Sequence, residues 1–363
     1  MSDVDTSLLD GKNILVTGGA GFIGCALSKR LAPRAGRYVV VDNLHPQIHE
    51  RAVRPDALDS NAELVVADIT ETATWDSLLS DFKPQVVIHL AAETGTGQSL
   101  TEASRHALVN VVGTTRLTDA LTKYKVNVEH ILLTSSRAVY GEGAWQAEDG
   151  HVVYPGQRGR AQLEAGQWDF PGMASSPSRA DRTEPHPTSV YGATKLTQEH
   201  VLRAWTLATK IPLSILRLQN VYGVGQSLTN SYTGIVALFS RLAREQKVIP
   251  LYEDGNVTRD FVNIEDVADA IVAALVRSPQ PLSTFDIGSG KAVSILEMAR
   301  IVAAHYGAPE PVVNGAFRDG DVRHAACDVG VSREQLNWKP EWSLERGIAA
   351  LQSWIAQELD RKN

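Results

Sequence analysis

Short apolar runs separated by longer amphipathic stretches organise the first two-thirds of this 363-residue chain. Each run is rich in Val, Ile and Leu and is apolar throughout rather than at alternate positions, which is typical of strands buried on both faces of a parallel sheet. Regular alternation of such strands with helices predicts a Rossmann-like doubly wound α/β sheet. The predicted strands are residues 13–17, 37–42, 63–67, 85–91, 129–135 and 213–218.

The alternation loosens after residue 222, which predicts a smaller mixed α/β lobe beside the sheet. The length is consistent with about two domains. We expect residues 1–222 to form the sheet domain, with 258–280 returning to it, and 223–257 and 281–363 to form the lobe. Residues 141–187 are rich in Gly, Pro and Gln and lack periodicity, so they are either a surface insertion or a flap over a functional site.

The charge balance narrows the classes of partner. With 35 Lys and Arg against 42 Asp and Glu, the net charge of −7 repels phosphate backbones, so no nucleic acid or anionic membrane is expected. The acidic N-terminal residues lack a signal-peptide core, and a cytoplasmic location is expected. The cysteines, Cys25 and Cys327, are too few for a metal cluster, so we expect buried free thiols and no metal site.

A glycine-rich turn follows the first predicted strand and precedes a predicted helix. Gly19, Gly21 and Gly24 form the pattern G-x-G-x-x-G, and Gly18 directly precedes it. Such a turn lets the backbone approach a pyrophosphate without Cβ atoms in the way, while the helix N-terminus supplies N–H groups and a partial positive charge. The turn therefore predicts dinucleotide binding. The expected contacts are Gly18, Gly21, Phe22, Ile23 and Gly24.

Acidic residues close the second and third predicted strands. Asp42 lies 42 − 24 = 18 residues beyond Gly24, where a carboxylate accepts hydrogen bonds from the adenosine ribose and disfavours a 2′-phosphate. This favours NAD over NADP as the cofactor, although Asp42 could instead be a strand-end turn residue. Asp68 lies either against the adenine edge or in a simple turn.

Tyr191 and Lys195 are four residues apart at the start of a predicted helix, so their side chains share one face. An ammonium group near a phenol favours the phenolate, which can take a proton from an alcohol while hydride leaves the same carbon. Ser135 and Ser136, at the end of the fifth predicted strand, offer a hydroxyl that shares this proton. Together these residues predict a hydride-transfer site.

These motifs resemble the extended short-chain dehydrogenase/reductase family, in particular its NAD-dependent nucleotide-sugar epimerases and dehydratases. The resemblance runs over nearly the whole chain, through HLAA at 89–92, RLQNVYG at 217–223, RDFV at 259–262 and DVA at 266–268. It implies Ser136, four residues before Tyr140, as the catalytic hydroxyl beside Tyr191 and Lys195. It also implies a homodimer formed through the helices predicted at 101–123 and 189–208. The further cofactor contacts that it implies are Asn43, Asp68, Ile69, Leu90, Ala91, Ala92 and Asn110.

The residues after Ser136 narrow the reaction. Family dehydratases carry Asp-Glu there, whereas this chain has Arg137-Ala138, which cannot perform that proton chemistry. A nucleotide-sugar 4-epimerase is therefore expected, with a 4-ketoreductase, a UDP-hexose 4-epimerase and a non-catalytic NAD-binding subunit as alternatives. The segments 42–47 and 91–99 and the long insertion most resemble members acting on dTDP-6-deoxyhexoses. The resemblance implies contacts to a nucleotide-diphosphate sugar from Thr94, Ser99, Ser136, Asn220, Arg259 and Arg323, with the two arginines binding the diphosphate.

Overall fold

The fold is taken from a computed structural model that describes residues 6–227, 234–278 and 280–360. The strands are β1 Asn13–Thr17, β2 Arg37–Asp42, β3 Ala62–Val66, β4 Val86–His89, β5 His130–Ser136, β6 Trp145–Ala147, β7 Val152–Val153, β8 Met173–Ser175, β9 Leu213–Leu218, β10 Asn220–Tyr222, β11 Pro250–Leu251, β12 Thr258–Arg259, β13 Phe261–Asn263, β14 Leu282–Ile287, β15 Val293–Ser294, β16 Val312–Val313 and β17 His324–Ala325. The helices are α1 Phe22–Leu31, α2 Thr72–Asp81, α3 Gln98–Thr101, α4 Ala103–Ala107, α5 Gly113–Lys123, α6 Arg160–Glu164, α7 Val190–Thr209, α8 Ile235–Arg244, α9 Ile264–Arg277, α10 Ile295–Tyr306, α11 Gly330–Leu336 and α12 Leu344–Asp360.

A seven-stranded parallel sheet forms the centre of the molecule, in the order β14-β9-β5-β4-β1-β2-β3. Its five inner strands are largely buried on both faces, as their continuous apolar sequences predict, whereas the edge strand β3 is partly exposed. The predicted doubly wound fold is confirmed. The chain order reverses on the two sides of β1, where β2 and β4 are its neighbours. Such a switch point opens a crevice at the carboxyl ends of the strands.

Strand β14 lies in this sheet beside β9, with Leu282 opposite Leu213 and Ile287 opposite Leu218. The sequence analysis assigned residues 281–363 to the second lobe, so its boundary separates this strand from the sheet that it completes. Ser, Thr and Asp interrupt the apolar residues of β14, and the segment therefore lacks the continuous run that marked the other sheet strands. Helix α9, within the segment expected to return to the sheet, packs against α1.

The helix predicted over 101–123 is divided. After α3 and α4, residues Leu108–Val112 form one wider π-helical turn, and α5 continues to Lys123. This wider turn contains the buried Asn110, and such turns are frequent at functional sites. The other long helix, predicted over 189–208, is α7, which is capped by the Ser189 hydroxyl bonded to the Gly192 amide.

The insertion at 141–187 contains a three-stranded antiparallel sheet, β7-β6-β8, and the short helix α6. Trp145 is buried and its ring meets Phe170 edge to face. Arg158 is also buried, and it bonds to Glu253 of the second lobe at 2.8 Å through each terminal nitrogen. The insertion is thus packed on the lobe as a structured element.

The second lobe has its own apolar core, built mainly from α8, α10 and α12. Cys25 and Cys327 are buried free thiols, as predicted, and burial raises the pKa of Cys25 to about 11. Within the residues that the structure describes, no helix is long and apolar enough to cross a membrane.

Candidate active site

A cleft of about 920 Å³ opens at the carboxyl ends of the central strands and extends to the second lobe. It lies at the switch point of the sheet, where parallel α/β folds bind ligands. Most of the residues predicted from the sequence line it. These are Gly18, Gly21, Phe22, Ile23, Asp42, Asn43, Asp68, Ile69, Leu90, Ala91, Ala92, Thr94, Ser136, Tyr191, Lys195 and Asn220.

The glycine turn is shaped for close backbone packing. Gly18 has φ +66°, and a Cβ atom there would lie 2.7 Å from the backbone of Ala91. Gly24 does not line the cleft, but a Cβ on it would overlap the backbone of Gly19, so it sets how closely α1 packs on the turn. The amino terminus of α1 has no side-chain cap among the described residues, so its N–H groups suit a pyrophosphate.

Asp42 acts both as a turn residue and as part of the cleft wall. Its Oδ2 accepts a hydrogen bond from the Ala20 amide at 3.0 Å, and its Oδ1 accepts one from the Leu44 amide at 2.9 Å. A carboxylate has about four lone-pair sites, so it can still accept bonds from ribose hydroxyls. The residue therefore fits NAD while it also anchors the glycine turn.

Asp68, which follows β3, also accepts hydrogen bonds from neighbouring residues. Its Oδ1 accepts bonds from the Thr70 amide and hydroxyl at 2.8 and 2.7 Å, and its Oδ2 accepts one from Asn43 at 3.0 Å. Burial alone would raise the pKa of Asp68, but these hydrogen bonds lower it below its ordinary value. Asn43 and Asp68 thus form a rigid part of the cleft wall.

Tyr191 and Ser136 both line the cleft, and their side chains are hydrogen-bonded. The phenol of Tyr191 sits at the start of α7, and its ring meets His106 edge to face at 6.4 Å. Ser136 ends β5, and its Oγ accepts a bond from the Ala138 amide at 3.1 Å. Burial raises the pKa of Tyr191, whereas the Ser136 hydroxyl and the positive Arg137 act to lower it. This pair offers the proton acceptor and its hydroxyl partner.

Lys195 lies one turn after Tyr191 and is 2% exposed. Its ammonium donates to the Thr134 carbonyl at 2.8 Å and also to Gln198, and burial lowers its pKa to about 7. Gln198 bonds in turn to Thr114 at 2.9 Å. These fixed contacts hold the lysine beneath the cleft.

A second buried network lies beside the catalytic strand. Ser135 donates to Glu199 at 2.6 Å, and Arg217 binds the same carboxylate at 3.0 and 2.8 Å. Arg217 also donates to Tyr140, whose hydroxyl donates to Asp286 of β14. Ser135 is therefore tied into the support of the sheet, and Ser136 is the serine free to act in the cleft.

Two predicted contacts lie behind the cleft wall. Asn110 is fully buried; its amide accepts a bond from the Glu93 N–H at 2.7 Å and donates to Thr194 at 2.9 Å. Ser99 is also buried and donates to the Thr96 carbonyl at 2.7 Å. Both side chains stabilise loops that form the cleft, because the wider helical turn and the short α3 direct them inward.

The two arginines predicted to bind a diphosphate have different surroundings. Arg259 is 7% exposed, does not line the cleft, donates to the Thr258 carbonyl at 2.8 Å and lies 3.7 Å from Asp321. The guanidinium of Arg323 is bonded to Asp169, Glu253 and Asp254 at distances from 2.7 to 3.1 Å. The prediction for Arg323 is therefore not supported, since carboxylates occupy its donors.

Arg137 is the cleft residue that the sequence analysis used only to exclude dehydration. It lines the cleft beside Ser136 and Tyr191, and its Nε donates to Asn220 at 3.0 Å. Its position directly after Ser136 was the one sequence signal that Arg137 could belong to the site. The direction of a long side chain, however, cannot be read from sequence.

Comparisons with known proteins agree with this arrangement. The pattern of the NAD dependent epimerase/dehydratase family matches residues 14–158 and 169–288. A protein of Burkholderia thailandensis named dTDP-L-rhamnose 4-epimerase is 81% identical over 363 residues, which is 100% of both chains.

Solved structures show the same fold. The structure of UDP-glucose 4-epimerase with UDP-glucose from Thermotoga maritima has a TM-score of 0.78 and 28% identity, covering 96% of this chain and 99% of that one. The structure of MoeE5 in complex with UDP-glucuronic acid and NAD has a TM-score of 0.74 and 26% identity, covering 95% and 99%.

Proposed function

Because this chain belongs to the NAD dependent epimerase/dehydratase family, we propose that it is a nucleotide-sugar 4-epimerase that interconverts dTDP-L-rhamnose and dTDP-6-deoxy-L-talose. The observation that carries the proposal is the joint placement of Ser136, Tyr191 and Lys195 in one cleft with the glycine turn and Asp42. The 81% identity to dTDP-L-rhamnose 4-epimerase supports the choice of sugar and base.

In this mechanism Tyr191 takes the proton of the sugar 4-hydroxyl, and Ser136 shares the hydrogen bond to that oxygen. Bound NAD would supply the hydride acceptor for oxidation at C4 and the hydride donor for the reduction that yields the 4-epimer. Lys195 must hold its positive charge near the phenol; burial lowers its pKa to about 7, and the charge of Glu199 offsets this lowering only in part. Tyr191 then returns the proton, so the reaction is neutral in protons and electrons.

The chain fits NAD along the cleft, with the adenosine end away from Tyr191. Gly18, Gly21 and the amino terminus of α1 would hold the pyrophosphate, and Asp42 the ribose. Asn43, Asp68 and Ile69 would surround the adenine, and Leu90, Ala91 and Ala92 would line the path towards Tyr191.

The test follows the anomeric proton signals of dTDP-L-rhamnose incubated with purified protein and no added cofactor. We expect signals of the 4-epimer to appear without net change in NADH absorbance. A requirement for stoichiometric NADH would identify a 4-ketoreductase and refute the proposal. Parallel incubation with UDP-glucose addresses the UDP-hexose alternative, and absence of turnover with every nucleotide sugar would indicate a non-catalytic NAD-binding subunit.

We also propose that two copies associate through the helices around α3, α5 and α7. Leu100 of α3 and Leu207 of α7 are 79% and 82% exposed, and Leu108 of the π-helical turn, which packs on α7, is 49% exposed. Large apolar side chains exposed together mark interaction surfaces. Light scattering should give twice the 39.4 kDa chain mass, and Leu207→Glu with Leu108→Glu should give the monomer mass. A wild-type monomer would refute this.

We propose a cytoplasmic location, in keeping with the two buried free thiols Cys25 and Cys327. Cell fractionation should recover the protein with cytoplasmic markers, and recovery with the membrane or periplasm would contradict this.

A further inference from the structure

Arg137 is half-buried and differs in its charge partners from the buried arginines of the described residues. Each of those buried arginines has a carboxylate within 4 Å. The pairs are Arg158–Glu253, Arg217–Glu199, Arg259–Asp321 and Arg323–Asp254. Among the described residues, Arg137 has a single hydrogen bond, from its Nε to the neutral Asn220, and no ion pair. Its two terminal amino groups therefore lack an anionic partner.

The position of Arg137 in the chain places its side chain in the wall of the cleft. Its backbone is fixed at the first position of a 3₁₀ turn that Ser136 caps. The side chain lines the cleft together with Tyr191 and also lines a small hollow beside it, which Asp321 borders. It thus lies between the catalytic phenol and the Asn220 side of the cleft.

The electrostatic surroundings favour an anion at this point. Burial, together with the positive Arg259 nearby, lowers the pKa of the Arg137 guanidinium well below its ordinary value, and Asp321 offsets this only in part. An anion bound to Arg137 in the cleft would offset both the burial of its charge and the repulsion from Arg259. In dTDP-L-rhamnose the diphosphate is the only anionic group, and planar guanidinium suits its paired oxygens.

We propose that Arg137 binds the sugar-proximal β-phosphate of the substrate and thereby positions the sugar over Tyr191. This rests on the proposed function, because it assumes a nucleotide-diphosphate sugar. Arg137 takes the role that the sequence had assigned to Arg323, whose donors are bonded to carboxylates.

The test compares the binding of dTDP, which carries a β-phosphate, with that of dTMP, which does not. Titration calorimetry on the NAD-loaded protein should show that Arg137→Gln weakens dTDP about 10- to 100-fold and dTMP by no more than about 3-fold. Arg137→Lys should fall between wild type and Arg137→Gln, since a lysine keeps the charge without the planar fork. Arg300→Gln, an exposed site 58% accessible in its side chain, controls for the lost surface charge and should leave both affinities unchanged.

An unchanged ratio of dTDP to dTMP affinity in Arg137→Gln would overturn the inference, even if turnover fell. Thermal unfolding and NAD binding of each variant identify misfolding, and Arg137→Lys keeps the test valid if Arg137→Gln does not fold. Binding of the UDP and UMP pair is measured in the same way. A wild-type protein that prefers diphosphates through Arg137 but does not epimerise dTDP-L-rhamnose would refute the proposed function and leave this inference intact.

Discussion

Replacing Arg323 with glutamine should destabilise the protein and leave the affinity for the diphosphate unchanged. The side chain of Arg323 is 1% exposed and joins the insertion, through Asp169, to Glu253 and Asp254 of the second lobe. Glutamine cannot replace the charge, so the variant leaves carboxylates without one of their cations. Glu253 is the critical one, because its side chain is only 2% exposed.

Removing one partner of a buried ion pair costs roughly 3–5 kcal/mol. We expect a cost near the lower end, about 3 kcal/mol, because Glu253 keeps its bonds to Arg158. In addition, the side chains of Asp169 and Asp254 are 54% and 33% exposed, so water can solvate their charges when Arg323 is removed. At about 2.1 cal/mol/K per residue, 363 residues have an unfolding entropy of about 760 cal/mol/K. The cost then lowers the Tm by about 4 °C.

Differential scanning calorimetry measures this shift, and titration with dTDP measures the affinity. Arg160→Gln is the matched control, because Arg160 also pairs with two carboxylates but its side chain is 68% exposed. Its Tm should change by less than about 1 °C, since exposed pairs contribute little. An Arg323→Gln variant with an unchanged Tm and a tenfold weaker dTDP affinity would refute the reasoning and restore the phosphate role.

Three further outcomes are expected. Tyr191→Phe should lower kcat by about 10²- to 10⁴-fold with unchanged Tm and NAD binding, and near-normal kcat would exclude Tyr191 as the proton acceptor. Gly18→Ala should weaken NAD binding more than tenfold in fluorescence titration, whereas Gly11→Ala, also at positive φ but with open space around it, should not; equal effects would refute the close-contact argument. Burial lowers the pKa of His89 to about 3 and of His130 to about 4, so both stay neutral when folded and protonate near pH 6.5 when unfolded. The free energy of unfolding should therefore fall as the pH drops from about 6.5 towards 4, by about 2 kcal/mol per histidine at pH 5. In thermal scans the His130→Gln variant should lose less stability over this range than the wild type. An equal loss in the variant would contradict the role of His130.

The local patterns of the sequence were sufficient for the fold class and for a predicted catalytic group whose members line one cleft. Continuous apolar strands, the glycine turn and the four-residue spacing of Tyr191 and Lys195 each depend on neighbouring residues in the chain. The family, the NAD cofactor and the epimerase function expected from these motifs agree with the comparisons. The parallel sheet follows because few other arrangements bury strands that are apolar on both faces.

Side chains whose role depends on distant partners were not predictable in this way. Asn110 reads as a cofactor contact, but one wider helical turn directs it to Glu93 and Thr194. Strand β14 has an interrupted apolar pattern and joins the sheet only through its pairing with β9. In each case the deciding contact lies far along the chain, where no periodicity records it.

The sequence by itself determined the sheet and the glycine turn, and it predicted Ser136, Tyr191 and Lys195, which line one cleft. The tertiary structure alone decided which arginine lines that cleft. Arg323 meets Asp169, a residue 154 positions away in the insertion, while Arg137 has no such carboxylate among the described residues and points to the cleft. A guanidinium binds the anion that folding brings nearest, and that proximity is set by long-range packing rather than by the local sequence.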